Sequence, residues 1–467
     1  MLIPYASRGM HGTARTEVVA LTRRERRWLI AVVLAGFGLR LWWVIYAVRP
    51  ARGVHDPAFY TLLGRSIADG DGYRLLSGEP TAFYPVGYSA ALSVVFKIMT
   101  WLPFGDNEPM AIGVFNLLLG VATILLVFEA GRRLFDNRTG IVAAAIVSIY
   151  PNLIFHTSAA LTETLFNFIM MSAIVVLLWR PWSGQFGWRK LVLFGALLGA
   201  SALVRPISLL VLPALLVVWL IAGYGRSHSL RLVAVISIAA VAVITPWAVR
   251  NMIVMNSPRV IISTNLGDNL CIGNNASATG AFNVGLDPTA RTDDYCFHDL
   301  GDMRRPAYEV RRNTLTMERA LEYIRGHPID ELRLMPKKLY YTIYNDHDGL
   351  YAVESYSEDP FIGSPLRAVL ETLANGWFWS TSVIGLLGLC FLTSRRDPRC
   401  PFFLATMVAL ALPVVIFFGD PRFKLPVVPL LSVAAAAMVV SIWGRSRATT
   451  DDGHEHASTP VGAAATS

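Results

Sequence analysis

Charged residues are scarce in this sequence: Asp, Glu, Lys and Arg make up 16% of its 467 residues, whereas soluble domains carry about 25%. Cysteine is rare too, with four residues in all. A disordered chain would be low in apolar residues, but here 54% are hydrophobic and the mean hydropathy is +0.47. These absences exclude a soluble enzyme, a disulfide-rich secreted module and a disordered chain.

Long apolar runs recur along the chain, for example over residues 29–46, 207–222 and 425–442. A helix of about twenty residues, rising 1.5 Å per residue, spans a bilayer core of about 30 Å. The sequence is therefore that of an all-α, polytopic membrane protein. We expect ten spans, over residues 28–48, 110–130, 139–157, 160–179, 189–204, 206–223, 230–249, 375–393, 400–418 and 424–443.

An eleventh apolar segment, residues 84–103, is interrupted by Pro85, Lys97 and Pro103. If it crossed the membrane, the arginine-rich loops that follow would face outward, although cytoplasmic loops are the ones that carry excess Lys and Arg. If it lies in the interface or re-enters, those loops and both termini are cytoplasmic. We therefore predict a multi-pass protein of the cell (inner or plasma) membrane. Its net charge of +8 then reflects orientation, and no nucleic-acid partner is expected.

This topology predicts a small, mostly helical cap on the outer surface, with helices near residues 303–326 and 328–345. Cys271 and Cys296 lie in the cap, where oxidation is possible, but the sequence leaves open whether they pair. The predicted parts are a cytoplasmic N-terminal tail (1–27), a transmembrane module (28–250) with a first outer loop (49–109), an extracytoplasmic loop domain (251–374), C-terminal transmembrane helices (375–444) and a disordered cytoplasmic tail (445–467).

Two carboxylates lie at the outer face in this topology. Asp56 precedes Pro57, a pattern typical of a helix start, and Glu163 opens an apolar span. Both can simply cap their helices, because the N-terminal end of a helix favours negative charge. Acidic groups at membrane depth also commonly face a cavity or a partner. His156, on the outer turn before Glu163, is either an interfacial histidine or an acid–base group.

Several basic residues also lie outward: Arg205, Arg250, Lys337, Lys338, Arg422 and Lys424. Contact with lipid headgroups would account for each one separately. Together they suit a lipid-linked phosphate, which needs charge-assisted hydrogen-bond donors. Ionisable residues are scarce inside the spans, whereas an ion-coupled transporter holds charge near mid-membrane. The combination favours an enzyme that acts on a lipid-linked substrate.

With these residues in place, the sequence resembles the polytopic glycosyltransferases of the GT-C class, specifically bacterial relatives of protein O-mannosyltransferases and of the lipid A aminoarabinose transferase. The order and spacing of the motifs carry the resemblance, from about residue 28 to 444. The motifs are His55–Tyr60, the Pro-Thr-Ala and Tyr-Pro-x-Gly-Tyr stretch of 80–88, Leu161–Phe166, Arg205-Pro206, Pro246-Trp247 with Arg250-Asn251, Asn269–Asn275, and Arg422-Phe423-x-x-Pro426.

The resemblance implies a GT-C-like helical bundle with interfacial helices in the first outer loop. It also implies transfer of a sugar from a polyprenyl-phosphate carrier to a glycan, lipid or protein acceptor, with inversion at the anomeric carbon. Asp56 would be the general base, and Glu163 would either orient the acceptor or hold the loop around Asp56. The residues expected to bind substrate are His55, Tyr60, Tyr84, His156, Arg205, Arg250, Lys337 and Arg422.

Two other classes of function remain open from the sequence. A transporter or flippase of lipid-linked sugars would use the same substrates, and a non-catalytic cell-envelope assembly protein would need neither carboxylate. The sugar and the acceptor are also open. Neither a cofactor nor a metal ion is expected, because the sequence contains no evident cluster of metal-binding carboxylates.

Overall fold

A computed structural model of the chain describes residues 19–101, 107–180, 182, 186–283, 296–297, 305–394 and 397–455, with backbone alone from 444 onward. Within these ranges the chain is helical, and its β-structure consists of two isolated bridges. The helices are α1 Arg23–Ala47, α2 Asp56–Asp69, α3 Gly87–Met99, α4 Glu108–Leu134, α5 Asn137–Ser148, α6 Pro151–Phe155, α7 Glu163–Leu178, α8 Trp188–Val204, α9 Val211–Ile221, α10 Arg226–Val254, α11 Leu266–Gly273, α12 Ala307–Gly326, α13 Pro328–Ile343, α14 Asp348–Val353, α15 Ser364–Thr393, α16 Arg399–Ile416 and α17 Val428–Glu455.

Among the described residues, five helices are long and apolar enough to cross a bilayer: α1, α4, α10, α15 and α16. A sixth candidate joins α5 to the segment Pro151–Ser158, at an angle of 61°. The all-helical membrane architecture is confirmed, whereas the predicted count of ten spans is not, because the other apolar helical stretches are short. These shorter stretches are Gly87–Met99, Glu163–Leu178, Pro206–Ile221 and Val428–Trp443.

Arg40, a buried residue in the second half of α1, contacts the chain at the bend after α5. Its guanidinium donates to the carbonyls of Ser148 at 2.8 Å and of Val147 at 3.2 Å. Helix α5 stops there, before Pro151, and carbonyls at a helix end need donors that lipid cannot supply. Arg40 therefore supplies hydrogen-bond donors to the carbonyls at the break in the helix. It is an exception, missed by the sequence reasoning, to the scarcity of ionisable residues in the spans.

The first outer loop contains two packed helices, α2 and α3. The 13 residues of α3 extend about 20 Å, less than a bilayer core, and the placement of 84–103 in the interface or as a re-entrant segment stays a prediction. The two helices approach closely because Gly64 has no side chain: a Cβ there would lie 3.0 Å from the Leu92 Cβ. This packing fixes α2 and the residue at its start.

The segment predicted to be extracytoplasmic, residues 251–374, is called the outer segment below; it contains α11 to α14, and α12 and α13 lie close to where the sequence predicts them. A disulfide joins Cys271 to Cys296, which answers the question that the sequence left open. Helix α15 begins at Ser364, before the expected start at 375, so part of the predicted cap belongs to this helix.

The two ends of the described chain differ in part from the prediction. Helix α1 begins at Arg23, where Thr22 and Glu25 form a capping box. Helix α17 continues to Glu455, so the start of the tail predicted to be disordered is helical. Neither Pro nor Gly follows Gly444 until Gly453, and such a stretch lets a helix propagate. Residues 1–18 and 456–467 lie outside the described part of the chain.

Candidate active site

Four charged residues from distant parts of the sequence meet in one cluster. Asp56 begins α2, Glu163 begins α7, Arg205 follows α8, and Arg422 lies in the 3-10 turn Pro421–Lys424. We call Asp56, Glu163, Arg205 and Arg422 the charged cluster. The sequence predicted all four as site residues, and the structure brings them together.

The Asp56 carboxylate is not used for helix capping. His55 is the N-cap residue of α2, and its side chain makes no cap hydrogen bond. Asp56 Oδ1 accepts from the Tyr84 hydroxyl at 2.9 Å, and Oδ2 accepts from Arg422 Nη1 at 2.9 Å. The side chain is 30% exposed. Asp56 is therefore a partly exposed carboxylate that two donors hold in a fixed orientation.

Glu163 is the most buried member of the cluster, with a side chain 1% exposed. Its Oε1 accepts from Arg205 Nη2 at 2.5 Å and from Arg422 Nε at 2.8 Å. Arg205 Nε also donates to the Thr162 hydroxyl at 2.9 Å. Because one carboxylate oxygen binds two guanidinium groups, Glu163 holds two cations side by side.

Arg422 is the centre of the cluster, since it contacts both carboxylates. Its backbone N–H donates to Asp420 Oδ1 at 2.8 Å, which fixes the tight turn that carries it. Burial opposes its charge, but Glu163, Tyr356 and Asp56 together raise the pKa of the Arg422 guanidinium well above its usual range. Arg422 is therefore a permanent cation beside the candidate base.

Tyr356 is a site residue that sequence reasoning missed. Arg422 Nη1 contacts its hydroxyl at 3.3 Å, and its ring lies against the ring of His55. Three consecutive residues, Ser355 to Ser357, have positive φ angles of 48°, 54° and 82°. Such angles cost about 1–3 kcal/mol each for non-glycine residues and concentrate at functional sites. No motif in the sequence marks this turn.

Two predicted tyrosines support the cluster from the first outer loop. The ring of Tyr60 is buried and packs 5.0 Å from that of Tyr84. Burial and the adjacent Asp56 carboxylate raise the pKa of the Tyr84 phenol well above its usual range. The Tyr84 hydroxyl thus stays protonated and acts as a donor to Asp56.

The two predicted histidines contact carboxylates outside the cluster. His55 Nε2 lies 3.0 Å from Glu358 Oε1, and His156 Nε2 lies 3.0 Å from Asp348 Oδ2. Asp348 also accepts from Asn152 Nδ2 at 2.7 Å. His55 therefore borders the cluster through Tyr356, whereas His156 belongs to a separate group of buried polar residues.

That separate group continues to the turn that carries Arg422. Lys424 Nζ lies 3.0 Å from Asp346 Oδ1 and donates to the carbonyl of Asn345 at 2.6 Å. Asn152 donates to both Asp346 and Asp348. We call Asn152, His156, Asp346, Asp348 and Lys424 the buried network.

Two of the predicted cations, Arg250 and Lys337, are not members of the charged cluster. Arg250 donates to the backbone carbonyls of Thr81 at 2.7 Å and Tyr73 at 2.9 Å, so its guanidinium is used within the first outer loop. Lys337 is exposed on α13, while the next residue, Lys338, is buried against Glu331. Sequence position alone put both on the outer side but did not show which side chains reach the cluster.

The walls of a cavity of about 760 Å³ contain residues that are close to members of the charged cluster in sequence. Its lining includes Pro57, Ala160 and Ser355, which are near neighbours in the chain of Asp56, Glu163 and Tyr356. The four members of the cluster are not among its lining residues within the described part of the chain.

The described residues contain no group of three or more His, Cys, Asp or Glu side chains arranged to hold a metal ion. Asp56 and Glu163 instead share an arginine donor, Arg422. Metal independence stays a prediction.

Among protein families, the one described as dolichyl-phosphate-mannose-protein mannosyltransferase matches residues 85–249 of the chain. The matched region runs from the first outer loop through most of α10. None of the curated proteins matches the sequence.

Several solved structures are similar in fold. The oligosaccharyltransferase AglB from Archaeoglobus fulgidus, in complex with an inhibitory peptide and a dolichol-phosphate, matches with a TM-score of 0.54 at 16% identity, over 95% of this chain and 52% of that one. The apo form of the oligosaccharyltransferase from the same organism gives 0.54 at 14% identity, over 92% and 52%. This chain thus spans about half the length of the archaeal protein.

A further match, with a lower TM-score of 0.47, is ArnT from Cupriavidus metallidurans bound to undecaprenyl phosphate, at 13% identity over 90% of this chain and 62% of that one. Without this match, the archaeal structures show that the chain shares the fold of a GT-C class membrane glycosyltransferase, and the family match covers residues 85–249. The resemblance predicted from the sequence is confirmed at that level.

Proposed function

We propose that this protein transfers a glycosyl group from a polyprenyl-phosphate-linked donor to an acceptor hydroxyl at the extracytoplasmic membrane face. The observation that carries the proposal is the contact between Asp56 and Arg422 at 2.9 Å, with Arg205 bound to the same Glu163 as Arg422. A base and two phosphate-type cations meet at one point. Glycosyl transfer from a lipid phosphate needs that combination.

In the proposed reaction the acceptor oxygen attacks the anomeric carbon of the donor sugar. Asp56 takes the proton from the acceptor hydroxyl as the new C–O bond forms. The bond between the anomeric carbon and the phosphate oxygen breaks on the opposite face, and its electron pair leaves with the polyprenyl phosphate. This in-line displacement inverts the anomeric configuration. A positioned carboxylate base typically contributes about 10²–10⁴-fold to such a step.

The leaving phosphate gains negative charge in the transition state, so the guanidinium groups of Arg205 and Arg422 stabilise it. Glu163 is bound by the two arginines and by the adjacent Thr162 hydroxyl. These contacts favour neither expected role, orienting the acceptor or holding the loop around Asp56, and support instead a role in holding the two cations. Glu163 keeps both cations close enough together to bind one phosphate group.

The proposal includes the orientation inferred from charge, with both termini in the cytoplasm and the charged cluster outward. It requires neither a metal ion nor a cofactor, because arginine side chains supply the charge that a metal ion supplies elsewhere. The acceptor is a glycan, a lipid or a protein, and the donor sugar is a hexose or a pentose.

The test compares envelope glycans and glycolipids by mass spectrometry in a strain that lacks the protein. The strain is complemented with the wild type, with Asp56→Asn, or with Asp330→Asn as a control from an exposed ion pair on α13. We expect one glycan to lose a sugar in the deletion and to regain it with the wild type and the control only. Full restoration by Asp56→Asn would remove the proposed base and favour transport or scaffolding instead.

A further inference from the structure

Glu309, a residue of α12 in the outer segment, is 2% exposed and binds the first outer loop. Its Oε2 accepts from the Thr81 hydroxyl and its Oε1 accepts from the backbone N–H of Ala82, both at 2.8 Å. The Thr264 hydroxyl donates to Oε1 at 2.6 Å, and Arg305 lies 3.3 Å from Oε2. A buried carboxylate with this many donors is a rigid anchor, because moving it would leave several polar groups unpaired.

Arg250 holds the same stretch of loop from α10. Its guanidinium donates to the Thr81 carbonyl at 2.7 Å and to the Tyr73 carbonyl at 2.9 Å. Thr81 is therefore held at its hydroxyl by Glu309 and at its carbonyl by Arg250. We call these two side chains, with Thr81 and Ala82, the loop clasp.

The loop clasp lies two residues before Tyr84, the residue that donates to Asp56. The backbone of Tyr84 is also held, because the Tyr73 hydroxyl donates to its carbonyl at 3.1 Å. Tyr73 is the second residue that Arg250 holds, and its ring packs edge-on 5.1 Å from Trp247 of α10. A continuous set of short contacts thus runs from α10 and α12 through the loop clasp and Tyr84 to Asp56.

We propose that Glu309 and Arg250 are positioning residues that set the orientation of the Asp56 carboxylate through Tyr84. This inference rests on the proposed function, since it concerns the base of that reaction. It assigns to Arg250 a role different from phosphate binding, because both of its terminal nitrogens already donate within the loop. It also gives the outer segment a part in the reaction without contact between that segment and the reacting atoms.

The test measures kcat and the KM for the lipid-linked donor in purified protein, with the sugar identified by mass spectrometry of the glycans. The variants are Glu309→Ala, Tyr84→Phe and the double variant, with Glu318→Ala as a matched control because Glu318 is an exposed glutamate on the same helix. A displacement of about 1 Å at a catalytic group can cost roughly 10²-fold in rate. We expect Glu309→Ala to lower kcat by about that factor, with the donor KM changed less than about threefold.

The double variant separates positioning from general stability. If Glu309 acts through Tyr84, its removal costs little once Tyr84→Phe has broken the link, so the double variant resembles Tyr84→Phe. The proposal would be overturned if the loss of kcat in the double variant equalled the product of the losses in the two single variants. It would also be overturned if the donor KM rose as much as kcat fell. Glu309→Gln keeps the side-chain size and one carbonyl oxygen, and we expect it to retain more of kcat than Glu309→Ala does.

A second readout does not depend on activity, which covers the case in which Glu309→Ala does not fold. Fluorotyrosine placed at position 84 reports the environment of that ring by ¹⁹F NMR. Glu309→Gln and Thr81→Val, which removes one hydroxyl at nearly constant volume, should each shift or broaden the signal, whereas Glu318→Ala should not. An unchanged signal in both would contradict the loop clasp. Absence of transfer by the wild type, with a shifted signal, would contradict the proposed function alone.

Discussion

The charged cluster and the buried network contain the same kinds of groups but differ in how exposed their aspartates are. The turn Pro421–Lys424 supplies a cation to each: Arg422 to the cluster and Lys424 to the network. In the cluster the Asp56 side chain is 30% exposed, whereas in the network Asp346 is 0% and His156 1% exposed. An open carboxylate can exchange its partner for a substrate, and a closed one holds the fold.

The network shows how contacts decide the state of neighbouring carboxyl groups. Burial raises the pKa of Asp346 to about 6, against the opposing effect of Lys424. Burial acts on Asp348 as well, but His156, Lys424 and Asn152 outweigh it and hold the pKa of Asp348 well below its usual range. Two aspartates separated by one residue thus differ because Asp348 has donors on both oxygens.

The largest effect that would test this contrast is on turnover. Asp56→Asn should lower transfer by about 10²–10⁴-fold, because the amide cannot accept the acceptor proton. The unfolding temperature in detergent should stay close to that of the wild type, since Asp56 is partly exposed. Donor binding, measured by displacement of a labelled lipid phosphate, should persist. A large fall in stability with unchanged turnover would reverse the roles assigned to the two groups.

The next largest effect is on stability. Lys424→Met leaves Asp346 without its cation, and breaking a buried pair from one side costs about 3–5 kcal/mol. Thermal unfolding followed by size-exclusion chromatography should therefore shift to lower temperature. Lys337→Met, at an exposed lysine of α13, is the control and should change stability by less than about 0.5 kcal/mol. Equal shifts in the two variants would mean that Lys424 is not structurally special.

A third effect appears in the pH dependence of stability. The pKa of Asp346 in the folded protein, about 6, is above its ordinary value of 3.8. The contribution of this carboxyl group to the free energy of unfolding is therefore full at low pH and is lost as pH rises through about 6. Asp346→Asn removes that loss. The stability of the variant relative to the wild type should increase between about pH 4 and pH 7, by at most about 3 kcal/mol. A constant difference across this range would contradict the shifted pKa.

The smallest effect concerns the shape of a cation. Arg205→Lys keeps the charge but cannot reach Thr162 and Glu163 at once, as the guanidinium does. The loss of one hydrogen bond to a charged group is worth about 1.5 kcal/mol, so kcat should fall by roughly tenfold. In Arg205→Met, which also removes the charge, kcat should fall further. Equal kcat values for the two variants would mean that the charge of Arg205 does not matter.

Much of the site could be predicted because its residues lie at local signals. Asp56 stands before a proline at a helix start, and Glu163 opens an apolar helix. Local signals do not tell a cap from a catalytic group, because the difference lies in distant partners: the contact of Asp56 with Arg422 joins residues 366 positions apart. Sequence reasoning missed Tyr356 because its partner, Arg422, is distant in the chain and because no motif predicts the strained turn that carries it.

Apolar length, charge distribution and proline position act locally, so the amino-acid sequence was enough to predict the helical membrane class and to select the candidate carboxylates. Other features depend on packing between segments far apart in the chain. Long-range packing selects the cations that reach Asp56, places Arg250 against the loop, brings Arg40 to the break after α5 and pairs Cys271 with Cys296. Composition and spacing do not encode those contacts, because each one joins side chains that the folded bundle alone brings within reach.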